Sequence, residues 1–469
     1  MAGCRQHTLT VTTKPAGRGF WPATAVGTNL ALAFLGCILL GLSHHLALEF
    51  DDFIIGYSET TICALAVFLG SAVIVTRQPV DRWTLPIILV FGVLCRLVLL
   101  TPDPHLSSDI YRYVWDGMMQ HHGISPYRFV PGDVHLKMFR EDDIFPNINR
   151  RDYAPTIYPP IAQMFFYAAT GLSFTLVAMK LAFYAAEAVA VWALLKALPL
   201  VGMRREQVLL YAWSPLLIWE IGSSGHVDAL LAMFVSLAIL YRLRNQPVLT
   251  GLALGAAVMT KFYPLLLLPA LYRRGDRRMP LAMLAVIVGG YACYAGVGKR
   301  VFGFAGGYVA EEGMANGSRY FLLDLLQHVR GFEHVPIWAF FLFCAACFAP
   351  VLLWCWRCNE RPGGAFLAPA GTLAFLLMLL FSPHYPWYVI WLVPFLVLRP
   401  NLTMGVYVCA IFYGLTTQWS EPGAKLFFLQ KWVYGATALA FVLQWTYARW
   451  LRPIFPLDRL FPRTDESGV

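Results

Sequence analysis

Long apolar runs separated by short basic clusters restrict what this chain can fold into more than any other feature. NLALAFLGCILLGL (29–42), LPIILVFGVLCRLVLL (85–100) and YGATALAFVLQWTYARW (434–450) are, with their flanks, long enough to cross hydrocarbon. A water-soluble chain of 469 residues would divide into domains with charged surfaces, yet only 13% of these residues are charged and 58% are hydrophobic. Trp and Tyr gather near the run ends, as interfacial anchors do. The sequence therefore predicts an integral membrane protein. Its formal charge of +9 lies mostly between the runs. That placement orients a membrane chain, and no basic stripe interleaved with aromatic residues suggests a nucleic-acid partner.

Counting basic clusters as cytoplasmic gives a topology. Arg5, Lys14 and Arg18 hold the N-terminus inside, and spans near 24–43, 59–76 and 83–101 lead to an external loop, 102–158. YPPIAQMFFYAATG (158–171) is short and opens on two prolines, so it reads as an interfacial or re-entrant helix. Spans at 174–197, 207–221 and 227–243 follow. GLALGAAVMTKFYPLLLLPALYRR (251–274), between two basic clusters, reads as two short helices meeting near Lys261 and Pro264. A span at 280–297 leads to a second external loop, 298–335, and further spans lie at 336–355, 364–381, 387–398, 402–419 and 427–449. The fold class expected is an all-α integral membrane bundle of about fourteen crossings, with juxtamembrane helices in the first large loop. Tails at 1–22 and 451–469 would be cytoplasmic, flanking one membrane domain over 23–450.

Cysteine supplies no framework. The ten cysteines lie almost all in apolar runs and none in the two polar loops. Cys344, Cys347, Cys355 and Cys358 read CxxC…CxxC, but on or beside one apolar helix, which favours packing over zinc. The N-terminus lacks a small-residue cleavage site close after its first apolar run, so no cleaved signal is expected.

The first loop carries the chemistry. It holds eight of the 27 acidic residues and four of the 11 histidines. It opens SSDIYRYVWDGMMQHHGISPYRFVPGD, where Ser107 and Ser108 precede a helix that places Asp109, Arg112, Tyr113 and Asp116 on one face. The two aspartates would stand roughly 10 Å apart, too far to share a proton or a metal ion. An ordinary solvated helix pair would also give this pattern.

This loop resembles the first external loop of GT-C class glycosyltransferases that use polyprenyl-phosphate donors, particularly bacterial mannosyltransferases of the glycosyltransferase 87 and alpha-mannosyltransferase groups. The residues that carry the likeness are Asp109, Tyr111, Arg112, Tyr113, Trp115, Asp116, Gly117, Gly123, Pro126 and Tyr127. IYPPIAQ (157–163), GHVDALL (225–231), GLALGAAVMTKFYPLLLLP (251–269), AEEGMANGS (310–318) and FSPHYPWYVIWLVPFL (381–396) follow in the same order, so the likeness spans about 100–400. Gly313 and Met314 stand where relatives often carry an aromatic residue. Three spans precede the loop where the class commonly has one, an odd number that preserves the loop's sidedness.

The resemblance implies a membrane hexosyltransferase, in particular a mannosyltransferase. It would move the sugar with inversion from a polyprenyl-phosphate donor to a glycan or lipid acceptor on the external face of a bacterial inner membrane. Asp109 would be the general base and Asp116 the second choice. Arg112, Lys261, Arg319 and His384 would hold the donor phosphate, and Tyr113, Tyr127, Tyr158, His226, Asp228 and Asn316 would line the substrate site. Lys261 stands out in the residues themselves, because a lysine between apolar segments is costly unless paired or at an interface; snorkelling is the plainer alternative. No Asp-x-Asp motif or nucleotide-cradling unit is present, no cofactor is expected, and a divalent cation lacks convincing ligand spacing. A transporter or flippase of lipid-linked sugars, or a non-catalytic sugar-lipid-binding subunit, would share the polytopic chain. Neither obviously requires two large polar loops.

Overall fold

The apolar runs fold as helices, and no strand occurs among the described residues. A computed structural model describes residues 24–48, 53–361, 363–416 and 424–451. Arg5, Lys14 and Arg18, both tails except Leu451, and the end of the 402–419 run lie outside them.

The chain opens with three apolar helices, α1 (Ala25–Leu46), α2 (Phe53–Arg77) and α3 (Thr84–Leu97), of which α1 packs on both others. The polar loop then contributes α4 (Asp109–His121), which lies against α5 (Pro160–Thr170). Next come α6 (Leu176–Ala197), α7 (Asp228–Leu243) and α8 (Pro247–Val258), packed in sequence order with α7 between the other two. The helix α9 (Arg278–Ala292) packs on α8 and turns into α10 (Ala305–Glu311). A short α11 (Phe321–Gln327), then α12 (Ile337–Cys358), α13 (Leu367–Phe381), α14 (Leu402–Thr416) and α15 (Ala424–Thr446) complete the described chain. One apolar core joins residues from α1 to α15, and a small satellite forms around Tyr320, Phe340 and Leu380.

The expectation of about fourteen crossings is wrong. Among the described residues, four helices are long and apolar enough to cross a bilayer: Ala25–Leu46, Gly56–Arg77, Leu176–Val201 and Ile337–Cys358. A fifth is reached only if Arg278–Ala292 and Ala295–Glu311, bent by 109°, count as one broken span. The cause is length. A straight span needs about 20 residues, whereas Thr84–Leu97, Pro247–Val258, Leu367–Phe381, Pro386–Leu398 and Leu402–Gly414 run 10–17. Proline interrupts several of these runs: Pro215, Pro264, Pro386 and Pro394 each sit at the start of a short helical piece. Hydropathy registers a short helix enclosed by protein as strongly as one that faces lipid, and α7 is enclosed along nearly its whole length. The long apolar helices still make this an integral membrane protein.

Buried polar side chains pin this arrangement. Arg96 of α3 makes a two-pronged pair with Glu187 of α6 at 2.7 Å, and its Nη1 donates to the Gly92 and Ala212 carbonyls at 2.9 Å. Lys180 of α6 donates to the carbonyls of Leu99 and Pro102, where α3 gives way to the polar loop. Removing one partner of such a buried pair costs about 3–5 kcal/mol, so these contacts fix where the loop begins.

Candidate active site

The helix α4 begins at Asp109, after Ser108, and the Asp109 amide donates to Ser107 Oγ at 3.3 Å. It runs through Gly117 because that glycine lies against α5; a Cβ there would meet the Phe166 carbonyl oxygen at 2.5 Å and Thr170 Oγ1 at 2.4 Å. Close contact with α5 holds α4 rigidly, and nearly all of α4 is buried although its sequence is amphipathic.

Asp109 faces a cavity of about 650 Å³. Its side chain is 19% exposed. Oδ1 accepts from Asn149 Nδ2 at 2.6 Å, and Oδ2 accepts from the Tyr158 hydroxyl at 3.5 Å. The Tyr158 and Tyr113 hydroxyls are hydrogen-bonded to each other at 3.1 Å. Burial first, and the Asp109 charge second, hold both phenols well above the ordinary tyrosine range. Tyr158, held neutral, is a donor that steadies the carboxylate, and Tyr113 supports it from behind.

Four cations line the same cavity, Arg112, Arg150, Lys261 and Arg319, against two carboxylates, Asp109 and Glu312. All four cations are already paired. Arg112 Nε meets Asp116 Oδ1 at 2.8 Å and its Nη1 donates to the Ala154 carbonyl at 3.0 Å. Lys261 Nζ meets Asp228 Oδ2 at 2.6 Å, with the Tyr263 hydroxyl donating to Oδ1 at 3.4 Å. Arg319 pairs with Glu312, and Arg150 bridges Glu311 at 2.8 Å and Glu312 at 3.6 Å. The ring of Tyr388 lies 4.9 Å from Lys261 Nζ and 5.6 Å from Arg319 Cζ, so two cations flank one aromatic face. Tyr388 is further tied to the Tyr308 hydroxyl of α10.

Backbone contact closes the cavity between the two polar loops. Gly303 has φ +55°, and a Cβ there would lie 1.8 Å from the Thr156 carbonyl oxygen. Phe304 donates its amide to that same carbonyl at 3.1 Å. Only glycine permits this approach.

The sequence-predicted residues divide by position. Asp109, Arg112, Tyr158, Lys261 and Arg319 share the cavity wall. Asp116 is 1% exposed and stands behind the wall, held by Arg112 and by Gln163 Nε2 at 2.8 Å. Tyr113, His226 and Asp228 are fully enclosed behind it, and Tyr127 is buried, donating to the Tyr158 carbonyl at 2.7 Å. Asn316 is exposed and accepts from Ser318 within its own turn. His384 stands outside the cavity lining; burial, then the charge of Arg319, push it down to about 4. Sequence reasoning missed Asn149, Arg150, Glu220, Glu312, Tyr308 and Tyr388. A lone carboxylate inside an apolar run flags Glu220; the others carry no comparable signal. Among the described residues no three His, Cys, Asp or Glu side chains converge as metal ligands, and the four cysteines of the CxxC pairs lie along α12 as free thiols.

A carboxylate held by neutral donors, in a largely apolar cavity that cations also line, can take a proton from a hydroxyl while a departing anion is stabilised. The family model described as Alpha-(1->6)-mannopyranosyltransferase, N-terminal domain, of the MptA/B family matches residues 23–273. No curated protein matches the chain.

Proposed function

The chain belongs to the MptA/B alpha-(1->6)-mannopyranosyltransferase family and is a membrane glycosyltransferase, and from this premise we propose inverting mannose transfer from a polyprenyl-phosphate donor, with Asp109 as general base. The acceptor hydroxyl gives its proton to Asp109 as its oxygen bonds to the sugar's anomeric carbon. The bond from that carbon to the phosphate oxygen breaks, and its electron pair stays on the lipid phosphate. Lys261, Arg319 and Arg112 stabilise that charge, so a strong general acid is unnecessary. The placement of Asp109 opposite cations on one cavity wall supports the reading most directly.

The cavity wall is of two kinds. Tyr158, Tyr263, Tyr385, Trp387 and Tyr388 offer rings and hydroxyls for a sugar, while Val309, Met314, Leu377, Met378 and Phe381 offer apolar surface for a prenyl chain. The acceptor is a glycan or lipid on the external face, which 102–158 and 298–335 share with 382–386. Arg204, Arg205 and 273–278, beyond the long helix Leu176–Val201, face the cytoplasm. Impermeant labelling of single cysteines tests this sidedness; equal labelling at 140 and 204 in intact cells would overturn it.

Asp109→Asn tests the chemistry. The amide keeps the shape but cannot accept the proton. Turnover of purified enzyme with a polyprenyl-phosphate mannose should fall roughly 100-fold or more, with donor binding retained. Near-normal turnover would remove Asp109 from the reaction. Chelators should leave the rate unchanged if side chains alone supply the positive charge.

A further inference from the structure

Polar contacts continue behind Asp109, away from the cavity. The His226 ring is wholly enclosed, with Nδ1 3.8 Å from Asp109 Oδ2 and Nε2 3.3 Å from Glu220 Oε2. It stacks on Trp387, ring centroids 3.9 Å apart and planes at 22°. Trp387 itself lines the cavity, whereas His226 and Glu220 do not. Both are 0% exposed. Neither ring nitrogen of His226 nor either Glu220 carboxyl oxygen makes a hydrogen bond to another protein group. Buried polar groups are nearly always satisfied, so two such side chains in contact demand a reason. Their backbone is specialised as well. Glu220 lies in a π-helical turn, Ile218–Ser223, and the His226 amide donates to the Glu220 carbonyl at 3.0 Å. Wide turns of this kind concentrate at functional sites.

We propose that His226 and Glu220 are positioning residues for Asp109: Glu220, as the neutral acid, donates to His226 Nε2, and the Nδ1–H so fixed points at Asp109 Oδ2. This rests on Asp109 being the base. Protonation states leave one consistent arrangement. His226 lies 3.3 Å from Glu220, and the charges that act on Glu220 are those of Asp228 and Asp109, neither of them a cation. An ionised carboxylate enclosed there would cost several kcal/mol, so the acid is the form held. Burial, then the charge of Lys261, push the His226 ring well below its ordinary range, so it stays neutral with one N–H. The opposite tautomer would leave Glu220 without an acceptor and aim an imidazole lone pair at the Asp109 carboxylate. At 3.8 Å this contact is longer than a hydrogen bond, and closing it by about 0.6 Å or more would make one. A second consequence follows for the proton. Nδ1 already carries a hydrogen, so the proton taken by Asp109 leaves through the cavity and not inward.

Conservative variants test this against both a proton relay and a merely structural role. Glu220→Gln keeps an N–H to donate to Nε2, whereas Glu220→Leu does not. Turnover of Glu220→Gln should remain within about 3-fold of the parent, and that of Glu220→Leu should fall about 10-fold or more with donor KM little changed. His226→Asn places an amide near Nδ1 and His226→Gln places one near Nε2, so the Asn variant should be the faster by several-fold. A structural role would not separate those two side chains. Glu220→Gln as impaired as Glu220→Leu would point to a relay through an ionisable carboxyl and overturn the proposal. So would equal rates for His226→Asn and His226→Gln, a comparison that remains decisive if Glu220→Leu fails to fold. Loss of activity in Asp109→Asn together with normal Glu220→Leu would sink this inference alone; normal Asp109→Asn would sink the reading beneath it.

Discussion

Asp116→Asn separates the two aspartates of α4. Asp116 is 1% exposed, pairs with Arg112 Nε at 2.8 Å and accepts from Gln163 at 2.8 Å. The amide retains the outline of the carboxylate but leaves the guanidinium, itself 6% exposed, without its countercharge. Uncompensated charge at such a site costs about 3–5 kcal/mol. With an unfolding entropy of about 2.1 cal/mol/K per residue over 469 residues, that lowers Tm by about 3–5 °C. Turnover of the folded enzyme should stay within about 10-fold of the parent, because Asp116 does not reach the cavity. Replacing both partners, Arg112→Met with Asp116→Leu, should recover stability while leaving donor binding weak, since the guanidinium then is missing from the wall. Thermal unfolding in detergent and steady-state kinetics on the same preparations give both numbers. An Asp116→Asn enzyme of unchanged Tm and turnover as low as Asp109→Asn would refute the reasoning and move the chemistry to Asp116.

Lys261→Ala should raise donor KM about 10-fold or more as well as lower kcat, because a phosphate contact exists in ground and transition states alike; unchanged KM in steady-state assays argues against that contact. His384 gives an acid limb of stability. Burial and the charge of Arg319 push its pKa down to about 4 from the ordinary histidine value of 6.5, so the unfolded chain binds the proton first. Stability should therefore fall as pH drops below 6.5 and level off near 4, and His384→Gln should flatten that limb in unfolding measured against pH. Gly303→Ala should destabilise the protein by more than the roughly 1–2 kcal/mol of left-handed strain, because its Cβ cannot pass the Thr156 carbonyl. Faster proteolysis of 298–320 would report the parting of the loops, and an unaltered digestion pattern would contradict it.

Local pattern and chemistry were legible in the sequence to different depths. The face of α4 that carries Asp109, the short proline-led α5, and the break in the apolar run at Lys261 follow from capping residues, helical spacing and proline, all local properties. The number of crossings was not legible. A run such as 402–419 is apolar for either of two reasons, lipid on its outside or protein all around it, and composition reads the same for both. The wall opposite Asp109 was half visible. Lys261 stands out as a cation among apolar residues, whereas Glu312, Arg150 and Tyr388 look like loop or interfacial residues until folding brings 150, 312 and 388 together.

The pairing of Lys261 with Asp228, of Arg319 with Glu312 and of Arg112 with Asp116 has a bearing on how the cavity empties. On the proposed mechanism, a phosphate entering here would meet occupied cations and compete with resident carboxylates. When the sugar has left, those carboxylates would reclaim their partners and displace the spent carrier, so the wall would trade tight capture for quick release. Glu312→Gln weakens one resident competitor. It should turn the spent polyprenyl phosphate into a stronger product inhibitor, and an unchanged inhibition constant would show that Glu312 never yields its place.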